Sequence, residues 1–154
     1  MRRIALLLMV MASTLLVASG VAWAVTKTCP PEPKLCNGTS GADVLKSTSK
    51  NNDMLGKGGK DTYTNFVRGN SGVDEIFDSG GKDKLVLTAY SKSEVLKRAT
   101  PVDYVTKNGK PDSLVLPLDR KGKNGVIILG YYDDTKSKAP WRPGVGYIEV
   151  IQTK

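Results

Sequence analysis

Between Gly38 and Val86 the apolar positions do not follow a helical period. They recur behind a fixed preamble of glycine, two residues, glycine, one residue, aspartate, one residue, apolar. The pattern is complete at "GTSGADVL" (Gly38 to Leu45), "GKGGKDTY" (Gly56 to Tyr63) and "GNSGVDEI" (Gly69 to Ile76). Weaker copies fill the gaps at "TSKNNDML" (Thr48 to Leu55) and "DSGGKDKL" (Asp78 to Leu85). The aspartates of the five copies are Asp43, Asp53, Asp61, Asp74 and Asp83, in steps of 10, 8, 13 and 9, with an insertion around Asn65 to Arg68. A period near nine residues predicts a turn of about six followed by a strand of about three, stacked as a flattened helix. Two repeats bring the chain back to the same side, about 4.8 Å further along. Asp43 and Asp61 then stack, and Leu45, Leu55, Tyr63, Ile76 and Leu85 point inward as a thin core. Glycine supplies the turn conformations and close backbone approach that stacking needs.

The flanks change the pattern. "SKSEVLKRA" predicts a short helix, with Ser91 and Glu94 at capping-box spacing and Lys97 and Arg98 at its C-terminus. Leu114 to Leu116 and Val126 to Leu129 predict a hairpin around "RKGKNG". "DDTKSKAPWRPG" reads as a loop and "VGYIEVIQT" as a last strand. Together these predict a β-rich cap that covers the edge of the final repeat. At the other end, Arg2 and Arg3 precede an apolar run from Ile4 to Val17 and the A-x-A site Ala22-Trp23-Ala24. That is the pattern of a secretory signal peptide over 1–24, with an uncleaved N-terminal helix as the alternative. Export implies an oxidising compartment, where Cys29 and Cys36 in "CPPEPKLC" close a disulfide. A zinc pair is the rival, but the chain has no histidine and no other cysteine to complete it. The expected organisation is a signal (1–24), a disulfide-closed segment (25–37), the repeats (38–87) and a helix plus β-rich antiparallel cap (88–154).

The lack of histidine also removes Ser-His-Asp and Cys-His catalysis and H-E-x-x-H zinc chemistry. A Ser-Lys dyad or a carboxylate pair drawn from Asp119, Asp133, Asp134 and Glu149 remains as the basis for a small secreted hydrolase. The net charge is +8, or +6 without Arg2 and Arg3, and is carried mainly by dispersed lysine. That describes a solvated surface or one that adheres to anionic cell-envelope polymer. Clustered arginine with interleaved aromatics is missing, so nucleic acid is not an expected partner. After the signal no segment is apolar enough to span a bilayer.

Stacked aspartates repel one another, and a hard divalent cation between them reverses the sign of that interaction. Calcium prefers carboxylate and carbonyl oxygens. The simpler alternative is a metal-free stack whose aspartates cap turns. Gly38 to Val86 resembles the hemolysin-type calcium-binding repeats, the glycine- and aspartate-rich nonapeptides of the RTX family. The resemblance implies an all-β fold, a short parallel β-roll of about five turns, with calcium held between turns by the repeat aspartates and by turn carbonyls. Carried across, it pairs Asp43 with Asp61, Asp61 with Asp83, and Asp53 with Asp74. It makes Gly38, Gly41, Gly56, Gly58, Gly59, Gly69, Gly72, Gly80 and Gly81 turn residues. Lys60 and Lys82 beside the aspartates, with Lys50 and Lys57 in other turns, depart from that pattern. They admit a lysine-neutralised, calcium-independent roll. The expectation is a secreted, non-enzymatic calcium-binding protein without the family's pore-forming role.

Overall fold

A computed structural model of the chain describes residues 23–69, 72–131 and 148–154. Most of the expected signal segment, Ala22 included, and the loop bearing Asp133 and Asp134 lie outside the described residues.

Seven short strands cover the N-terminal half: β1 Thr26–Thr28, β2 Leu35–Asn37, β3 Val44–Lys46, β4 Asp53–Leu55, β5 Thr62–Thr64, β6 Val73–Phe77 and β7 Asp83–Leu87. Helix α1 (Lys92–Arg98) follows, then β8 Thr100–Val102, β9 Ser113–Pro117, β10 Gly125–Ile128 and β11 Ile148–Thr153. Strands alternate between two sheets. One has five strands in the order β1-β3-β5-β7-β11, and the other six in the order β2-β4-β6-β10-β9-β8. The repeat length sets the register. Val44 lies opposite Thr62 and Leu35 opposite Asp53, each 18 residues on, whereas Thr62 pairs with Lys84 and Asp53 with Glu75, 22 on. The extra four residues are the insertion before Gly69. Pairing begins before Gly38, because Thr26 lies opposite Val44 and the segment closed by the Cys29–Cys36 disulfide adds one strand to each sheet.

Short strands behind glycine turns can bury only alternate side chains. Leu45, Tyr63, Ile76 and Leu85 are the inward residues, and all are fully buried. The weak second copy is out of phase with the expectation. Met54 is the buried residue of β4, and Leu55 is half-buried in the row that also holds exposed Phe77. Both phases of "NNDML" place an apolar residue inward. The stacked neighbours Cys36 and Ile76 select Met54, which occupies their row.

The cap differs from expectation in one strand. β8, β9 and β10 are antiparallel, as the hairpin predicted, but β11 runs parallel to β7 and extends the first sheet. β10 likewise runs parallel to β6. Each sheet therefore continues in its own direction past the last repeat. Helix α1 has the expected capping box: the Ser91 side chain accepts from the Glu94 N–H, and Glu94 accepts from the Ser91 N–H. The Ser91 N–H bond, followed by the bond from Arg68, holds the Glu94 carboxyl down to about 2. Replacing a helix-capping serine costs about 1 kcal/mol. Ser91→Ala is expected to lower the urea midpoint accordingly, without changing its slope.

Candidate metal centre

Four of the five repeat aspartates, Asp43, Asp61, Asp74 and Asp83, turn inward instead of toward solvent. Asp43 Oδ1 accepts a hydrogen bond from the Val25 N–H (2.7 Å). The Asp43 N–H donates to Asp61 Oδ1 (2.8 Å), and the Asp61 N–H donates to Asp83 Oδ1 (2.8 Å). One carboxylate oxygen per layer thus ties down the backbone of the layer before it. All three residues are almost fully buried.

Their second oxygens differ. Asp43 Oδ2 accepts from both the N–H and the hydroxyl of Thr39. Eighteen residues on, the corresponding position is Lys57, which has a left-handed backbone (φ 81). Asp61 Oδ2 is buried and has no hydrogen-bond partner among the described residues. Carboxylate oxygens of Asp61, Asp78 and Asp83 lie within 4.8 Å of one another. Asp78 Oδ1 accepts from the Gly80 N–H (3.1 Å), and Asp78 Oδ2 accepts from the Tyr63 hydroxyl. Gly56 sits under this cluster: a Cβ there would meet Asp78 Oδ2, Tyr63 OH and Asp61 Oδ2 at once.

Burial, first, and then the charges of Asp78, Asp43 and Asp83 raise the Asp61 carboxyl to about 7, against the lowering effect of the Asp43 N–H bond. Burial and the bond to Asp78 push the Tyr63 phenol up, so it remains a proton donor. Lys57, Lys60 and Lys82 are exposed, and the one salt bridge among the described residues, Arg68 to Glu94, is elsewhere. Among the described residues the cluster is therefore three buried carboxyl groups without an ammonium. Such a group must hold a proton or bind a cation.

The other side of the stack is built differently. Asn52, not Asp53, fills the inward position of the second copy. Its N–H donates to Asp74 Oδ1 (2.9 Å), and its own Oδ1 accepts from the Thr48 N–H (2.8 Å). Asp74 Oδ2 accepts from the Ser47 hydroxyl (2.7 Å). Burial raises the Asp74 carboxyl to about 6, although these bonds lower it. Asp53 faces outward, in register with Glu75, and is raised by burial and then by Glu32. The structure thus brings Asp61 and Asp83 together, adds Asp78, gives Asp43 a saturated capping role and does not set Asp53 against Asp74. With Asn52 in place, the inward positions 43, 52, 61, 74 and 83 step by 9, 9, 13 and 9. Asp78 has a visible signal in retrospect: it occupies the first glycine position of its copy, 22 residues after Gly56.

The turn glycines also stack. A Cβ on Gly59 would meet the carbonyl of Gly41, one on Gly81 that of Gly59, and one on Gly72 that of Lys50. Gly38 lies between Asp43 Oδ2 and the Gly56 carbonyl, whereas Gly58, Gly69 and Gly80 face open space. Asp119 closes a turn by accepting from the Lys121 and Lys123 N–H groups (3.0 Å each), and Glu149 lies within β11.

No family model matches the chain, and no curated protein or solved structure matches it.

Proposed function

We propose that this chain is an exported, non-catalytic β-roll that binds calcium at Asp61, Asp78 and Asp83, in the manner of the hemolysin-type repeats it resembles, and couples that binding to folding. The observation that carries the reading is the buried, unpartnered Asp61 Oδ2 facing two further carboxylates. Every donor at the cluster is oxygen, the set that hard cations take, and the chain offers no histidine or free thiol for a softer metal. A site this deep has no counterpart in an unfolded chain, so the ion's binding energy becomes folding energy. The disulfide, and the lack of any helix among the described residues long and apolar enough to cross a membrane, are compatible with export.

Calcium titration of chelator-treated protein tests the reading. At about ten times Kd a single site adds about 1.4 kcal/mol, which raises the melting temperature by several degrees. Asp78→Asn should abolish that rise, whereas Asp119→Asn, in a turn of the cap, should keep it. Magnesium should substitute poorly, because it demands a tighter octahedral shell. A melting temperature indifferent to millimolar calcium and to chelator would reject the proposal.

A further inference from the structure

The chain carries six arginines against seventeen lysines. Two arginines are in the first three residues and Arg142 lies outside the described residues. The other three, Arg68, Arg98 and Arg120, line one cavity of about 530 Å³, with Lys123 as a fourth cation. They come from separate parts of the chain: the insertion that breaks the repeat, the end of α1, and the turn between β9 and β10. Lysine is scattered over the surface, whereas every arginine of the described residues converges here.

The cavity is organised around Arg68. Its Nε–H donates to the Ala89 carbonyl (2.8 Å), its Nη2 donates to both oxygens of Glu94 (2.9 Å each), and its guanidinium lies 4.8 Å over the Tyr90 ring. Tyr90 is buried and accepts from Asn124 Nδ2, which also donates to the Val67 carbonyl. The two acids of the lining are already engaged, Glu94 by Arg68 and Asp119 by two backbone N–H groups of its own turn. Arg98, Arg120 and Lys123 form no salt bridge among the described residues. The result is a pre-shaped concavity with an excess of positive charge over a floor of buried Tyr90 and Leu118. Guanidinium forks match the oxygens of tetrahedral oxyanions, and a volume of this size suits a small organic ligand.

We propose that this cavity binds an oxyanion ester, the phosphate or sulfate group of a small polar molecule or chain end, with Arg98, Arg120 and Lys123 as the contacting cations and Arg68 as the fixed wall. It shares no residue with the aspartate cluster, so it stands or falls independently of calcium binding.

The test is an NMR titration of the full mature chain in calcium-free, chelator-containing buffer. The probes are inorganic phosphate, inorganic sulfate, glucose 6-phosphate and glucose 6-sulfate. Saturable shifts are expected at the arginine Nε–H signals and at the backbone of 118–124, in the low millimolar range, and weakening with added chloride. The ratio of phosphate to sulfate affinity identifies which ester the site takes. The double variant Arg120→Gln, Lys123→Gln should weaken binding at least tenfold without moving the melting temperature, because both side chains are exposed. Shifts that rise linearly without saturation, shifts spread evenly over distant lysines such as Lys27 and Lys84, or undiminished binding by the double variant would each overturn the proposal.

Discussion

Chelator-treated protein is expected to lose stability as pH rises from about 4 to about 7, and millimolar calcium is expected to restore it at the upper end. Asp61 sets the direction. Its carboxyl titrates near 3.8 in an unfolded chain and near 7 in the fold, so the fold favours the protonated form. Its contribution is complete below pH 4, falls through the interval and is gone above pH 7. A shift of this size corresponds to about 4 kcal/mol at most. Asp74 adds to the loss with the same sign between pH 4 and about 6. Asp112 acts in the opposite sense and in a different window. Burial alone would raise its carboxyl, but bonds from the Ser113 hydroxyl and the N–H groups of Thr106, Tyr104 and Val105 hold it well below the ordinary range, so its stabilisation disappears only in strong acid. Asp61→Asn supplies an amide where the fold wants a neutral group. It should flatten the decline between pH 5 and 8 and, at the same time, remove the calcium response. Urea unfolding at each pH, with calcium and with chelator, reads both effects. A parent protein whose stability increases steadily from pH 5 to 8 in chelator would contradict the buried arrangement of Asp61, Asp78 and Asp83.

The turn stack predicts an equally large effect from one methyl group. Gly81 has φ 131, a conformation side chains rarely adopt, and a Cβ there would run into the carbonyl of Gly59. Gly81→Ala should cost about 3 kcal/mol or more, from the backbone strain and from pushing two layers apart. Its neighbour is the control. Gly80 has no positive φ, and a Cβ there meets nothing within 4 Å. Gly80→Ala should be neutral or slightly stabilising, since it only restricts the unfolded chain. Thermal unfolding of the two variants side by side checks this. Equal effects would mean that the turns do not stack as described.

The sequence by itself determined what depends on neighbours in the chain. The glycine-aspartate copies located β3, β5, β6 and β7 and the inward residues Leu45, Tyr63, Ile76 and Leu85, because turn chemistry and alternation act within a few residues. Ser91 and Glu94 determined the start of α1, "RKGKNG" the hairpin, and two cysteines seven positions apart the disulfide. Tertiary structure alone decided the rest. The phase of β4 depended on the row that Cys36 and Ile76 offer to Met54, contacts 18 and 22 residues away. Thr39 closes off Asp43 within its own turn and Lys57 leaves Asp61 Oδ2 open, but which charges then meet Asp61 depended on the next layer, which brings Asp78 and Asp83 against it. The direction of β11 and the meeting of Arg68, Arg98 and Arg120 were likewise set by how the cap folds back on the last repeat. A local pattern fixes which groups each layer presents. Stacking the layers fixes which of those groups share a space, and therefore their charge and their chemistry.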